Sequence, residues 1–96
     1  MADLAPDLDR DQLAQIVERV VLEAHRQHDK FGRFGYERPG VRLGLACIED
    51  EVREALGALD EDRHDQDLGP RWAYTQGEVT QVAAIAVRLI YDLVYN

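Results

Sequence analysis

Residues 45–59 read Leu45-Ala46-Cys47-Ile48-Glu49-Asp50-Glu51-Val52-Arg53-Glu54-Ala55-Leu56-Gly57-Ala58-Leu59. At about 100° per residue, Leu45, Ile48, Val52, Leu56 and Leu59 share one side of a helix, a core-facing stripe. Glu51 and Glu54, three residues apart, project from another side. Gly44, Cys47, Ala55 and Ala58 lie near them, small enough to admit a second helix or a ligand beside the carboxylates. An amphipathic helix can carry two such glutamates simply as solvated charges. Carboxylates clustered without a cationic partner repel one another, and a hard cation such as Mg²⁺ relieves that repulsion.

The flanking segments are helical too. Asp9 suits an N-cap, with Gln12 completing a capping-box-like pair and Leu8 and Leu13 forming a hydrophobic staple. Leu13, Ile16, Val17, Val20, Val21, Ala24 and Phe31 then make one stripe. Gly32 is a natural end, and Lys30 in the last turn suits the helix dipole. Residues 32–40, with three glycines and one proline, predict a loop. Phe34 and Tyr36 there either anchor the loop to the core or offer a stacking surface for a base.

The second helix fades around residues 60–62. Residues 60–71 are charged and aperiodic, which predicts a solvated connection, and His64 among its aspartates has no helical spacing that would make a metal site. A third helix is expected from Pro70 or Arg71 to about Tyr95. It carries a stripe of Val82, Ile85, Ala86, Leu89 and Leu93. A second, of Val79, Ala83, Val87, Ile90 and Val94, adjoins it. A helix apolar over so much of its circumference is covered on more than one side. No strand pattern appears. The expected fold is all-α: one domain over residues 1–96, with residues 1–8 a loose leader and three main helices whose bundle oligomerisation completes.

The 96 residues carry 19 acidic and 11 basic side chains, a formal net charge of −8. That balance argues against a nucleic-acid polymer or an anionic membrane surface as partner. Residues 82–94, the longest apolar run, are interrupted by Arg88 and Asp92 and too short to span a bilayer. One cysteine, Cys47, allows no disulfide within the chain, and no serine is present. The opening residues have neither a basic region nor an apolar run, so a cytoplasmic protein is expected.

Glu78 falls at the edge of the apolar stripe of the third helix. Thr75-Gln76-Gly77-Glu78 matches a capping box if the helix starts at Thr75. If the helix starts at Pro70, Glu78 is mid-helix and needs another partner. Gln81, one turn on, can offer a neutral oxygen to the same point.

Asp50-Glu51-x-x-Glu54, 23 intervening residues, then Glu78-x-x-Gln81 resembles the paired motif of the MazG-like all-α nucleoside triphosphate pyrophosphatases, especially phage-type members. Arg26-Gln27-His28-Asp29-Lys30-Phe31-Gly32 is similar to the phrase that ends their first helix. The resemblance covers residues 15–95. It implies a homodimer or homotetramer in which Glu51, Glu54 and Glu78 hold Mg²⁺, or Mn²⁺ in its place, with Gln81 beside them. It also implies cleavage of a nucleoside triphosphate to the monophosphate and pyrophosphate, with Glu51, Glu54 and Glu78 as the catalytic carboxylates. Gln81 departs from the family pattern, which has aspartate there. For the phosphates, Arg26, Lys30 and Arg88 are candidates; for the base, Phe31, Phe34, Tyr36 and Trp72, of which Phe31 and Trp72 also suit a core. His28 reads as a packed or loop-anchoring histidine. The rival expectation is a catalytically impaired helical dimer serving as a nucleotide-binding or protein-interaction module.

Overall fold

Asp9 starts the first helix as its spacing predicts. In the computed structural model, which describes residues 7–64 and 72–95, the Asp9 carboxylate accepts the Gln12 amide at 2.9 Å. Helix α1 runs Arg10–Phe31 and ends at Gly32, whose φ of 78° is a conformation that glycine adopts without a Cβ penalty. Helix α2 runs Arg38–His64 and α3 runs Ala73–Val94. Among the described residues there is no strand, and no helix is long and apolar enough to cross a membrane.

Two expected boundaries move. Arg38, Pro39 and Gly40, expected in the loop, form the first turn of α2, where proline has no amide to lose. Gly40 is required there because a Cβ would collide with the Phe34 carbonyl. At its other end α2 does not fade at residues 60–62. It continues, and Asp62 is buried rather than solvated. Its carboxylate accepts the Tyr74 amide at 3.2 Å, the Thr75 amide at 2.7 Å and the Thr75 hydroxyl at 2.6 Å. Asp62 thus serves the free amides at the start of α3, a position that Trp72, in the left-handed conformation, leaves without a side-chain cap. Helix α3 starts at Ala73, after Trp72, rather than at the expected Pro70 or Arg71; the side chain of His64 and the connection at 65–71 lie outside the described residues, as do residues 1–6 of the leader.

Helix α3 is central. It packs against both α1 and α2, while α1 and α2 do not meet. Helix α2 comes close to α3 at Gly44, where a Cβ would stand 2.9 Å from the Leu89 side chain. Small residues on the carboxylate side of α2 therefore do admit a second helix. The consequence corrects the expected stripe. The side of α2 turned inward carries Gly44, Cys47 and Glu51, whereas Leu45, Val52, Leu56 and Leu59 are exposed. On α3 the buried side chains are Ala84, Ile85, Arg88, Leu89 and Asp92, so the inward side mixes polar and apolar groups. Of the two apolar stripes assigned to α3, the second lies outside, with Val79, Val87, Ile90 and Val94 exposed. Most of the α1 stripe is exposed as well, and the Leu8–Leu13 staple is not buried. The chain exposes 7728 Å², against about 5,600 Å² for a folded monomer of this mass.

Candidate functional site

Where α2 meets α3, three glutamates converge. Glu51 and Glu54 come from positions three residues apart on α2 and Glu78 from the second turn of α3. One carboxylate oxygen of each lies within 4.8 Å of the others. Because α3 starts at Ala73 and the Thr75 amide and hydroxyl turn to Asp62, Glu78 sits inside the helix rather than in a capping box. Glu51 and Glu78 are part-buried and Glu54 is exposed. Oε2 of Glu51 and Oε2 of Glu78 are buried without a hydrogen-bond partner among the described residues. The ion pairs on α2 join Arg53 to Glu49 and Asp50, not to these three. Burial, then the charge of Glu54 and side-chain hydrogen bonding with Glu78 and Glu54, and last the charge of Glu78, push the Glu51 carboxyl up to about 7.

A cleft of about 460 Å³ opens beside this cluster, between α1, α2 and α3. Half-buried Glu51, Gln81 and Cys47 line it, as do the exposed Arg26, Lys30 and Phe31. The structure thus brings Arg26, Lys30, Phe31 and Gln81 to one cleft with Glu51. Trp72 is elsewhere, exposed at the start of α3 and not among the lining residues. Tyr36 is exposed beside the first turn of α2, while Phe34 lines the cleft. Arg26 is held by Glu23, its Nε donating to both carboxylate oxygens at 2.7 and 2.8 Å. Lys30 lies 5.2 Å from the Phe31 ring centroid.

The floor is a polar network. Arg88 is buried; its Nη1 donates to Gln27 Oε1 at 3.0 Å and its Nη2 to the Gly32 carbonyl at 2.8 Å. The guanidinium also stacks on Phe34, 4.6 Å from the ring centroid. Burial pushes Arg88 below its ordinary value, against the opposing effect of Asp92. Gln27 in turn donates to the Gln81 carbonyl at 3.3 Å. Asp92, also buried, accepts the Phe34 amide at 2.8 Å, the Gly35 amide at 3.1 Å and Arg33 Nε at 3.1 Å. Burial pushes its carboxyl up, but the Gly35 amide, Arg33 and the Phe34 amide hold it below the ordinary value. Phe34 is accordingly a loop anchor, as one of its two readings had it.

Gln27, Asp62 and Asp92 are structural groups that sequence reasoning passed over. A signal for two of them was present. Gln27 interrupts the apolar line Val20, Ala24, Phe31, and Asp92 extends the line Ile85, Leu89. A polar residue on a buried helical line is paired across the fold. No protein-family model, curated protein or solved structure matches the chain.

Proposed function

We propose that the protein is a Mg²⁺-dependent nucleoside triphosphate pyrophosphohydrolase of the MazG-like type, assembled as a homodimer or homotetramer. The observation that carries this reading is the convergence of Glu51, Glu54 and Glu78, with one oxygen from each within 4.8 Å. Oε2 of Glu51 and Oε2 of Glu78 are buried and have no hydrogen-bond partner among the described residues. The donor set fits the cation. It is all hard oxygen, it carries excess negative charge, and without a counter-charge it is an expensive arrangement to bury. Glu51, Glu54 and Glu78 would hold Mg²⁺, which would neutralise the phosphates and lower the pKa of a bound water. Gln81 borders the same cleft and offers a neutral oxygen. Arg26 and Lys30, exposed along the cleft, would meet the phosphates, and Phe31 the nucleoside.

Assembly is supported by the surface. The exposed area exceeds that of a globular monomer by about 2,100 Å², and the apolar sides of all three helices contribute to it. An obligate homodimer interface covers surface on that scale.

The test is pyrophosphate release from a panel of common and modified nucleoside triphosphates, with Mg²⁺ and with EDTA. Release that requires Mg²⁺ and is lost in Glu51→Gln supports the reading. Gln81, neutral where an enzyme of this type carries aspartate, favours a second reading: a nucleotide-binding module without turnover. Saturable, Mg²⁺-dependent nucleotide binding with no pyrophosphate released would select it.

A further inference from the structure

The apolar line of α2 turns outward. Leu45, Val52, Leu56 and Leu59 are 56, 44, 60 and 40 % exposed. Val41 and Ile48, half-buried, fill its gaps. Along Val41, Leu45, Ile48, Val52, Ala55 and Leu59 the steps alternate between four residues and three, the recurrence with which two helices pack along a shared seam. From Val41 to Leu59 the seam is about 27 Å long. It also faces away from the cleft. Cys47 lines the cleft, and Val52 stands about 140° from Cys47 around the helix. A body seated on the seam leaves the cleft open.

The charges beside the seam have a direction. Arg42 flanks its N-terminal end and Asp60 its C-terminal end. They are 18 residues apart, five whole turns, so they stand on the same flank. Both are exposed, and the ion pairs among the described residues include neither. A second α2 laid parallel would set Arg42 against Arg42 and Asp60 against Asp60. Laid antiparallel, with its centre level with residues 51–52, it sets each Arg42 beside the partner's Asp60. The first arrangement repels and the second attracts. The antiparallel register also brings the partner's Leu59 level with the stretch between Val41 and Leu45. An open groove lies there, lined by Tyr36, Arg38, Val41, Arg42 and Leu45.

We propose that α2 of a second copy covers this seam, antiparallel, about a two-fold axis near Val52, with Arg42 of each chain paired to Asp60 of the other. A specific interface takes about 800 Å² from each partner. The chain's 7728 Å² of exposed surface exceeds that of a globular monomer by more than this amount. The inference rests on the proposed assembly and not on the proposed chemistry, and it names the surface and the register. Glu51 and Glu54 belong to the same helix, so the pairing holds two carboxylate clusters back to back.

The experiment uses the full chain, with light scattering to follow its size. Val52→Cys, combined with Cys47→Ala to leave one thiol, should give a covalent dimer with a short bismaleimide. Leu45→Cys in the same background should not, because its two copies stand about 20 Å apart along the seam. Leu45→Cys refolded together with Leu59→Cys should cross-link again. Arg42→Glu should raise the dimer Kd about tenfold or more, since it sets like charges together twice, and adding Asp60→Arg should restore the wild-type Kd. If Arg42→Glu does not fold, the cross-linking pattern still decides. A dimer that cross-links neither at Val52 nor in the mixed pair overturns the proposal and leaves the assembly standing. Cross-linking at Leu45 alone as readily as at Val52 means a parallel pair and overturns it too, as does a double reversal no tighter than Arg42→Glu. A wild-type monomer of 10.9 kDa at micromolar concentration overturns the assembly and this interface together.

Discussion

Glu51→Gln removes one charge from a cluster of three carboxylates and changes almost no volume. In the wild-type protein the Glu51 carboxyl lies at about 7 instead of its ordinary 4.5. Between those values the folded state binds more protons than the unfolded chain, so stability must fall as pH rises. The contribution is fully present below pH 4.5 and lost by the time the pH passes 7. At 1.36 kcal/mol per pH unit the full loss is about 3 kcal/mol. Glu54 is exposed and Glu51 only part-buried, so solvent screening reduces this to about 1.5–3 kcal/mol. For a domain of this size that is a drop in Tm of roughly 10 °C. The assay is urea unfolding of metal-free protein from pH 5 to pH 8, beside Glu51→Gln. Wild-type stability should decline across the window, and the variant should decline less and be the more stable protein at pH 8. Adding Mg²⁺ at pH 8 should reverse the order. A Glu51→Gln protein less stable than wild type at pH 8 without metal would refute the claim that the cluster is electrostatically strained.

Mg²⁺ at about 100 times its Kd should stabilise the folded protein by about 2.7 kcal/mol. Gln81→Asp should tighten its binding, since it adds charge to a hard-cation site; calorimetric titration showing no gain would remove Gln81 from the site. Light scattering at micromolar concentration should return a multiple of 10.9 kDa, and a monomer would contradict the assembly drawn from the exposed apolar faces. Asp92→Asn should cost about 1.5–3 kcal/mol in chemical denaturation, because three hydrogen bonds converge on a buried charge there. Asp62→Ala should lower the exchange protection of the Tyr74 and Thr75 amides selectively, and unchanged protection would mean that α3 needs no cap from α2.

Helix existence was legible because it is local. The Asp9 cap, the Gly32 stop and the 3.6-residue recurrence of apolar positions act within one or two turns, and α1 begins and ends where they place it. The pairing of Glu51 and Glu54 was legible for the same reason, being fixed by helical spacing. Their approach to Glu78 followed from a motif resemblance, not from any local rule, and the geometry at 4.8 Å is a property of the α2–α3 packing.

What local pattern could not decide is which side of each helix turns inward. Hydrophobicity pointed α2 toward its Leu45, Val52, Leu56 and Leu59 side, yet the fold buries the side with Gly44, because only a residue without a side chain lets α3 come so close. The polar floor is likewise invisible along the chain. Arg88 meets Gln27 across 61 residues, and Asp92 meets Phe34 across 58. Each of these groups is costly to bury alone and tolerable when paired. Sequence by itself therefore determined three helices, the capped ends of α1 and two carboxylates on one helix side. Tertiary structure decided the third carboxylate's place, the cation on the cleft floor and the outward turn of the apolar stripes, because those depend on contacts between segments that no short-range periodicity encodes.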